Sequence, residues 1–357
     1  MLTTEIVVIG GGPAGMNSAL AAASQGAEVT LLDRNWELGG QLVKQTHKFF
    51  GSENQFAGER GIDIAEILSE RVHDNSRITV RKNSSVLGIY HDGVLTFEQD
   101  DKYKKLTSRQ TVVATGAAEK FLSFTNNDLP GVYGAGAVQT LMNQQGVLPG
   151  KNVLIIGAGN IGLIVAYQLL QAGVSVEAII EALPEIGGYE VHRDKIKRMG
   201  VPILTSHSIK KAYGEERVEG AIIGEIDSSW SFIDGTKKDF KADVICLAVG
   251  LSPLIDLLHP LGLEISYVPN LGGLAPKRDE YLETTISGYF VAGDCAGVEE
   301  ASSAMMEGNI AGLSAANSIG YKKSFQEKFR NNRDELRKLR EGETAKEVRA
   351  GLGEVRL

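Results

Sequence analysis

Apolar runs and glycine-rich turns occur twice in the same order along this chain. The first copy has an apolar run at residues 6–9, a predicted alanine-rich helix over 14–25 and a predicted strand over 28–33. The second copy repeats this order, with predicted elements over residues 151–156, 161–172 and 175–181. A strand, a tight turn, a helix and a second strand make up the repeating unit of a doubly wound sheet. The pattern therefore predicts an α/β fold with two Rossmann-like nucleotide-binding domains, each of three layers.

The segments that follow each copy also correspond, which favours two similar domains. In the first half we predict an amphipathic helix over 61–73 and short strands over 78–81, 86–91, 94–98 and 111–114. In the second half we predict strands around residue 203, over 222–226 and over 244–249, and then a helix near residue 301. Gly10 lies 106 residues before Gly116, and Gly157 lies 93 residues before Gly250. Comparable spacing in the two halves indicates an internal repeat.

Each predicted strand-to-helix turn carries a dinucleotide-binding fingerprint. The first is GGGPAG at residues 10–15, and the second is GAGNIG at residues 157–162. The first glycine permits the turn, the second lets the backbone approach a pyrophosphate, and the third packs the helix on the strand. Asp33 and Glu181 follow the two motifs by 18 and 19 residues, where a carboxylate accepts a hydrogen bond from a ribose hydroxyl. Two dinucleotide sites in one chain indicate electron transfer between two cofactors.

Composition and charge narrow the class of protein. A chain of 357 residues with a formal net charge of −8 favours two soluble domains and argues against nucleic-acid binding. No apolar stretch reaches the roughly 20 residues of a membrane span, and no signal peptide is recognisable, so a cytoplasmic protein is expected. With only two cysteines, Cys246 and Cys295, neither a disulfide framework nor a cysteine-built metal site is expected.

A run near the C-terminus identifies the first nucleotide. Residues 285–294 (TISGYFVAGD) read as a strand that ends in Gly-Asp. Together with residues 113–116 (VATG) and 39–42 (GGQL), this run resembles the flavin motifs of the pyridine nucleotide–disulfide oxidoreductase superfamily, the flavoproteins with two dinucleotide-binding domains. The resemblance covers residues 1–320, and it implies that Asp294 holds the ribityl chain of FAD. It also implies an FAD-binding domain of residues 1–125 and 254–320 and an inserted NAD(P)-binding domain of residues 126–253. The dense charge of residues 321–357 separately predicts a charged helical tail.

The expected cofactor contacts follow from the fingerprints and the resemblance together. FAD contacts are expected at Gly10, Gly12, Pro13, Ala14, Gly15, Asp33, Arg34, Gly40, Gln41, Ala114, Thr115, Gly116, Gly293 and Asp294. Contacts with the nicotinamide nucleotide are expected at Gly157, Gly159, Asn160, Ile161, Gly162, Glu181 and Gly250. The Glu181 carboxylate suits the 2′-hydroxyl of NAD, and residues 182–184 supply no arginine for a 2′-phosphate. NAD(H) is therefore expected over NADP(H); the alternative is a degenerate site that binds another adenine nucleotide or none.

The sequence lacks the redox-active cysteine pair of the disulfide reductases in this superfamily. Residues 39–45 contain no sulfur, although single-cysteine peroxidases of the superfamily carry their cysteine shortly after this Gly-Gly turn. Cys246 lies in a predicted buried strand, and Cys295 is either a small core residue or a thiol at the flavin edge. Thioredoxin reductase, glutathione reductase and peroxidase chemistry are therefore disfavoured.

No catalytic residue is assigned, because hydride passes directly between cofactors. Nicotinamide C4 must come within roughly 3–3.5 Å of flavin N5, and this step needs no protein acid or base. Lys44 and His47, in the segment 44–51, are weak candidates for stabilising reduced flavin; a polar loop that covers the cofactor is the alternative reading. His192 and Arg193 occupy a similar place in the second half and are candidates for contact with the nicotinamide nucleotide.

Three functions remain open. The first is an FAD-dependent, NAD(H)-linked oxidoreductase that moves hydride or electrons between nicotinamide nucleotide, flavin and a further acceptor or donor. The second is an FAD- and nucleotide-binding electron-transfer subunit of a heteromeric amine or amino-acid dehydrogenase whose partner oxidises the substrate. Residues 128–143 resemble the interdomain segment of such subunits in sarcosine oxidase, opine oxidase, hydrogen cyanide synthase and dye-linked proline dehydrogenase complexes. The third is a nucleotide-binding scaffold without turnover.

The tail bears on the choice of partners. Phe325, Phe329, Leu336 and Leu339 line one helical stripe in a densely charged segment. This stripe either docks the tail on the body of the protein or binds a partner. The expected partners are the nicotinamide nucleotide and a dehydrogenase or electron-carrier subunit, within a homo- or hetero-oligomer.

Overall fold

Strands alternate with helices or turns along most of the chain in the computed structural model, which describes residues 2–49, 52–342 and 345–357. The strands are β1 (Leu2–Ile9), β2 (Val29–Leu32), β3 (Ile78–Arg81), β4 (Ser84–Ile89), β5 (Val94–Gln99), β6 (Lys102–Val113), β7 (Ala117–Glu119), β8 (Val132–Gly134), β9 (Asn152–Ile156), β10 (Ser175–Ile180), β11 (Ile203–Leu204), β12 (His207–Tyr213), β13 (Gly220–Glu225), β14 (Lys238–Lys241), β15 (Val244–Leu247), β16 (Leu251–Pro253), β17 (Ile265–Val268), β18 (Gly273–Pro276) and β19 (Tyr289–Val291). The helices are α1 (Pro13–Gln25), α2 (Gly61–His73), α3 (Ala135–Gln139), α4 (Asn160–Gln171), α5 (Glu190–Arg198), α6 (Ala301–Ser318), α7 (Phe325–Leu339) and α8 (Lys346–Glu354). The chain divides into two compact units, one of residues 1–118 and 251–357 and one of residues 119–250.

The sheet of the first unit reverses its strand order at β1. Its order is β3-β2-β1-β6-β5-β4, and β19 also pairs with β6. β1 runs parallel to β2 on one side and to β6 on the other. At such a switch point a crevice opens at the carboxyl ends of the strands, and the first glycine turn follows β1 there.

Alternate residues of β1 face two different cores. Ile6 and Val8 lie in an apolar cluster with side chains of α1, α2 and α6. Val7 and Ile9 lie in a second cluster with side chains of β4, β5 and β6 and with residues 255–263. The central sheet is therefore covered on both faces, which gives three layers.

The second unit has the same plan. Its parallel sheet has the order β11-β10-β9-β15-β8, so that β9 holds the switch position that β1 holds in the first unit. Val153 and Ile155 pack against α4 and α5, whereas Leu154 and Ile156 pack against the antiparallel strands β12 to β14. Both sheets are thus of the Rossmann type, and the α/β fold class predicted from the sequence is confirmed.

Helix α6 packs directly on the backbone of α1. A Cβ atom built on Gly308 would overlap the carbonyl oxygen of Ala14, and one on Gly312 would overlap that of Ser18. Such close approach is open only to glycine at these two positions. Because α1 begins at the first glycine turn, α6 holds the helix whose N-terminus faces the nucleotide crevice.

The charged tail is an integral part of the first unit. Phe325, Phe329 and Leu336 are buried in the cluster that contains α1 and α6, and Leu339 packs against it. The end of the chain packs against the β17–β18 hairpin, where Val355 joins a small core and the backbone of Arg278 bonds to Val355 and Leu357. Of the two readings of the stripe, the structure supports docking on the body.

One strand differs clearly from its prediction. β6 spans twelve residues, whereas only residues 111–114 were predicted. Its first half has a polar, lysine-rich sequence in which Leu106 is the residue buried in the core. This half pairs with β5 in an antiparallel meander, so that cross-strand pairing outweighs the weak local apolar signal.

Candidate functional site

The first glycine turn has the geometry that its fingerprint predicts. Gly10 has φ of +106°, and a Cβ atom there would overlap the carbonyl oxygen of Ala114. A Cβ atom on Gly15 would overlap the carbonyl oxygen of Gly10. The chain therefore turns sharply after β1 and brings α1 close to the strand.

The second turn repeats this geometry. Gly157 has φ of +108°, and a Cβ atom there would overlap the carbonyl oxygen of Ala248. A Cβ atom on Gly162 would overlap the carbonyl oxygen of Gly157. The match indicates that the two turns are built in the same way.

Both turns leave room where a pyrophosphate would lie. A Cβ atom on Gly159 would meet no atom within 4 Å, and one on Gly12 would meet only the Cα of Gly40, at 3.8 Å. Gly12 and Gly159 cap the N-termini of α1 and α4, and neither helix has an acidic residue in its first turn. The exposed amide groups and the helix dipole there favour an anion. The residues present therefore fit a dinucleotide in each unit.

A buried carboxylate supports each turn from the end of the second strand. Asp33 is 6% exposed; it accepts hydrogen bonds from the amide of Gly11 at 2.5 Å and from that of Asn35 at 2.7 Å. Glu181 is 9% exposed; it accepts from the amide of Ala158 at 2.7 Å and from that of Leu183 at 2.9 Å. Each carboxylate oxygen retains lone-pair capacity for a ribose hydroxyl.

The loop after each carboxylate returns to its glycine turn. The amide of Gly39 donates to the carbonyl of Gly11 at 2.8 Å, and the amide of Gly188 donates to the carbonyl of Ala158 at 3.0 Å. In the second unit the Asn160 side chain also accepts from the amide of Tyr189 at 2.8 Å. In the first unit Arg34 and Gln41 are exposed on either side of the returning loop. Both loops therefore border their crevices.

The strand ends at β6 and β19 bring the remaining flavin-motif residues together. Ala114 and Ala292 continue β6 and β19, and the amide of Ala292 donates to the carbonyl of Val113 at 3.1 Å. The Thr115 hydroxyl donates to the carbonyl of Leu254 at 2.6 Å. Gly116 has φ of +78°, and a Cβ atom there would meet no atom within 4 Å. Gly250, the corresponding residue of the second unit, has φ of +106° and a carbonyl that accepts from the amide of Lys120.

Asp294 lies at the start of a loop with an unusual electrostatic environment. Burial, with a smaller effect of the neighbouring carboxylates Glu299, Glu307 and Glu300, raises the pKa of Asp294 to about 7. The hydrogen bond from the amide of Glu299 to the Asp294 carboxylate, at 3.3 Å, opposes this rise. A hydroxyl group that donates to this carboxylate would favour its ionised form.

Sequence reasoning missed the buried charges behind Asp294. The Glu307 carboxylate accepts from the amide of Gly293 at 2.9 Å and from the guanidinium of Arg340 at 2.6 Å. Arg340 also binds Glu299 through two nitrogen atoms, at 2.5 and 2.9 Å. The available signal was a single acidic residue, Glu307, within the small and apolar residues of α6.

Both thiols are buried within the cores of their units. Cys246 lies in β15, and burial raises the pKa of its thiol. Cys295 donates to the carbonyls of Val113 and Ala292 at 3.2 and 3.4 Å, and burial raises its pKa as well. Of the two readings of Cys295, the structure supports the core residue. Neither thiol has the lowered pKa and access that a redox-active cysteine needs.

The weak catalytic candidates occupy folded segments. Lys44 ends a 3₁₀ helix of residues Gly40–Lys44, and the half-buried His47 ring stacks on Phe49 with ring centroids 5.5 Å apart. Phe50 and Gly51, at the end of the predicted segment, lie outside the described residues. These positions do not assign a catalytic role to Lys44 or His47.

In the second unit, the corresponding candidates lie on α5. Arg193 pairs with Glu190 and Asp194, at 3.2 and 2.9 Å. Burial, with a smaller effect of Lys195, lowers the pKa of His192. The Arg193 guanidinium is therefore already engaged by carboxylates of its own helix.

Neither a metal cluster nor a membrane span is present in the described part of the chain. Residues 2–49, 52–342 and 345–357 contain no group of three or more histidine, cysteine, aspartate or glutamate side chains placed to hold a metal ion. Within the same ranges, none of the helices has the length and apolar character needed to cross a bilayer.

Known proteins resemble this chain in sequence and fold. It is 28% identical to a subunit of opine oxidase from Agrobacterium tumefaciens over 87% of its length, and the match covers 65% of that subunit. It is 24% identical to hydrogen cyanide synthase subunit HcnB of Pseudomonas protegens over 86% of its length, covering 69% of that subunit. The chain thus spans about two thirds of the length of these relatives.

Among solved structures, thioredoxin reductase of T. acidophilum superposes with a TM-score of 0.71 at 21% identity. The superposition covers 89% of this chain and 99% of the reductase, which shows a common fold. Residues 4–308 match the pyridine nucleotide-disulphide oxidoreductase family. With its two Rossmann-type units and their matching glycine turns, the chain belongs to this family of FAD-dependent oxidoreductases.

Proposed function

We propose that this protein is an NAD(H)-linked FAD oxidoreductase that moves hydride or electrons between nicotinamide nucleotide, flavin and a further acceptor or donor. In this proposal no redox-active disulfide takes part. FAD binds in the domain of residues 1–125 and 254–320, and NAD(H) binds in that of residues 126–253. The observation that carries the proposal is the pair of matching glycine turns, each with open space above its second glycine and a buried carboxylate beside it.

The first unit offers three kinds of contact to FAD. The amide groups of Gly12, Ala14 and Gly15, at the start of α1, would bind the pyrophosphate, and Asp33 would accept a hydrogen bond from the adenosine ribose. Asp294 would accept from a ribityl hydroxyl, which would hold its carboxylate in the ionised form. Gly40, Gln41 and residues 114–116 would border the ring system.

The second unit is better suited to NAD(H) than to NADP(H). The Glu181 carboxylate points to the glycine turn, where it would accept from the ribose 2′-hydroxyl and repel a 2′-phosphate. Arg193 is paired with two carboxylates of its own helix, which leaves its charge largely compensated. NADH is therefore the expected reductant.

The chemistry of the bound cofactors explains why the chain needs no catalytic acid or base. FAD supplies a hydride acceptor that can pass on its electrons singly or in pairs. The protein residues bind and orient the cofactors, and the buried thiols of Cys246 and Cys295 take no part. This division of roles agrees with the absence of a redox cysteine pair from the sequence.

An anaerobic titration tests the proposal. The purified chain should be yellow, and NADH should bleach its flavin absorbance at lower concentration than NADPH does. A colourless chain that cannot be reconstituted with FAD would refute the flavin assignment. A flavin that neither nucleotide bleaches would refute the nicotinamide assignment.

A second candidate function is an electron-transfer subunit of a heteromeric amine or amino-acid dehydrogenase. The observation that favours it is the similarity to the opine oxidase subunit and to hydrogen cyanide synthase subunit HcnB, both of which are subunits by name. In that case the partner oxidises the substrate, and this chain accepts the electrons. Affinity purification of the tagged chain from its native host would then recover a second flavoprotein in stoichiometric amount, whereas a chain that runs alone and reduces artificial acceptors with NADH would favour the first function.

A further inference from the structure

Four charged side chains, all largely buried, connect the C-terminal tail to the loop that carries Asp294. They are Arg278, Glu299, Glu307 and Arg340. Glu307 is 2% exposed and Arg278 is 5% exposed. The Glu307 carboxylate lies 3.7 Å from the Arg278 guanidinium. Arg340 lies between Glu299 and Glu307, and it belongs to the tail just after α7.

Arg340 bridges two carboxylates that hold opposite ends of this loop. One oxygen of Glu307 accepts from Arg340, and its other oxygen accepts from the amide of Gly293 at 2.9 Å. Glu299 is bound by two nitrogen atoms of Arg340, and its own amide donates to the Asp294 carboxylate. The loop from Gly293 to Glu299 is therefore fixed at both ends through one guanidinium.

The tail is well placed to keep Arg340 in position. α7 is anchored by its aromatic side chains in the core with α6, the helix that carries Glu307. The Arg349 guanidinium, from α8, donates to the backbone carbonyls of Arg340 and Gly342. Burial alone would lower the pKa of Arg340, but the Glu307 and Glu299 carboxylates together raise it, so the guanidinium stays charged.

We propose that Arg340 is a positioning residue of the flavin site, acting through Glu307 and Glu299 on the Gly293–Asp294 turn. Through this one side chain, the charged tail then contributes to the flavin site of the first unit. This inference rests on the proposed binding of FAD in that unit. A bidentate guanidinium suits the role because it binds two carboxylates in a fixed geometry, which a lysine ammonium does not.

Removal of Arg340 would leave uncompensated negative charge beside Asp294. The charged and titratable groups around this loop are Asp294, Cys295, Glu299, Glu300 and Glu307, with Arg278 as the remaining cation. Burial already raises the pKa of Glu299, and Arg340 opposes that rise. In an Arg340→Met variant, Glu299 would take up a proton more readily, so low pH would partly relieve the lost charge.

The test compares FAD affinity of variants by flavin fluorescence at pH 6 and pH 8. Arg340→Met should weaken FAD binding on the order of tenfold at pH 8, because it strands buried carboxylates, and the difference from wild type should narrow at pH 6. The FAD affinity of Arg340→Lys should lie between those of wild type and Arg340→Met. Arg337→Met is the matched control: Arg337 lies three residues before Arg340, its side chain is 72% exposed, and its replacement should leave FAD affinity unchanged.

A second measurement does not require bound flavin. Hydrogen exchange at the amides of residues 293–299 in the flavin-free protein should be faster in Arg340→Met than in wild type and Arg337→Met. If Arg340→Met does not fold, the same measurements of FAD affinity and hydrogen exchange are made on Arg340→Lys. FAD affinities within twofold of wild type at both pH values, with unchanged exchange, would overturn the role of Arg340. A wild-type protein that binds no FAD would refute the flavin assignment instead, and the exchange measurement would still report on the Arg340 contacts.

Discussion

At the scale of single residues, Asp294 should make the proposed flavin binding depend on pH. Its pKa is raised to about 7 mainly by burial, so the carboxyl is largely protonated at pH 6 and ionised at pH 8. The ionised form accepts a hydroxyl hydrogen bond more strongly. FAD affinity should therefore rise between pH 6 and pH 8, and Asp294→Asn should lower it roughly tenfold at pH 8 and abolish most of the rise. Fluorescence titration of both proteins measures this, and an equal pH dependence in the variant would contradict it.

The same residue affects the stability of the flavin-free protein with the opposite sign. A carboxyl whose pKa is raised on folding binds more protons in the folded state, so stability falls as pH rises from the unfolded value of about 4 towards 7. The flavin-free Asp294→Asn variant should therefore gain thermal stability relative to wild type at pH 8, and only about a third of that gain should be present at pH 5. Calorimetry at the two pH values is the measurement, and a variant that is less stable than wild type at pH 8 would contradict the assignment of the raised pKa.

Glu181 should determine nucleotide preference in the second unit. Glu181→Gln removes the negative charge that repels a 2′-phosphate but keeps a side-chain oxygen near the amide of Ala158. The ratio of kcat/KM for NADPH to that for NADH should rise by about tenfold. Glu177→Gln is the control and should leave the ratio unchanged, because Glu177 lies within β10, four residues before Glu181, and is bonded to Ser175. A ratio unaltered by Glu181→Gln would remove the physical basis for preferring NADH.

Residues with a local chemical signature could be predicted from the sequence, whereas long-range charge pairs could not. The glycine turns, Asp33 and Glu181 follow from fixed offsets after an apolar run, because a single strand-turn-helix unit sets their geometry. Arg278 and Arg340 lie far apart in sequence, and only the folded chain brings both of them to Glu307. A dense run of charges is typical of a solvated helix, so Arg340 gave no sign of its buried position.

At the scale of secondary-structure elements, the contact between α1 and α6 should be sensitive to one methyl group. Gly308→Ala would place its Cβ against the carbonyl of Ala14 and push the helices apart, at a cost of about 2–4 kcal/mol in the free energy of unfolding. FAD affinity should fall as well, because the proposed pyrophosphate site lies at the N-terminus of α1. Denaturant unfolding of the first unit, followed through bound flavin, measures both effects.

A second glycine serves as a control that shows whether helix propensity or packing causes the loss of stability in Gly308→Ala. Gly353, in α8, has no atom within 4 Å of a Cβ built on it. Gly353→Ala should therefore change stability by less than about 1 kcal/mol, in the stabilising direction, since alanine is the better helix former. Similar losses in both variants would show that the close contact of α6 with α1 is not the cause.

Helices and strands were predicted correctly where buried residues recur at a regular spacing along the sequence. The prediction failed where pairing with a neighbouring strand determines the length of a strand. Helix α2 was predicted over residues 61–73, the range it occupies, because its apolar positions form one stripe. Strand β6 was predicted over four residues, because the polar residues before Thr111 give a weak signal that only the neighbouring strand β5 resolves. The tail was predicted as helical, but the packing of α8 against the β17–β18 hairpin joins distant parts of the sequence and left no local signal.

At the scale of the whole molecule, the two units are variations on one plan. Each has a switch-point strand, a glycine turn with φ near +107°, and a carboxylate bound to the amide of the second residue of that turn. They differ in the elements added to this plan: the first unit adds the Asp294 loop, α6 and the tail, and the second adds α5 and the antiparallel strands β12 to β14. A duplicated nucleotide site with different additions is well suited to binding two different dinucleotides.

Electron transfer through this molecule should not require sulfur. Cys246 and Cys295 are each fully buried within the core of a separate unit, and burial raises the pKa of both thiols. The thiolate is the reactive form, so a thiol reagent such as Ellman's reagent should label neither residue in the native protein and both after denaturation.

A Cys246→Ala/Cys295→Ala variant should lose about 1–3 kcal/mol of stability from the vacated core volume. It should nevertheless retain NADH-dependent reduction of an artificial acceptor to within about twofold after correction for flavin content, because direct hydride transfer to flavin needs no thiol. Rapid labelling of the native protein, or loss of acceptor reduction in a folded and flavin-loaded variant, would show that a cysteine takes part in electron transfer after all.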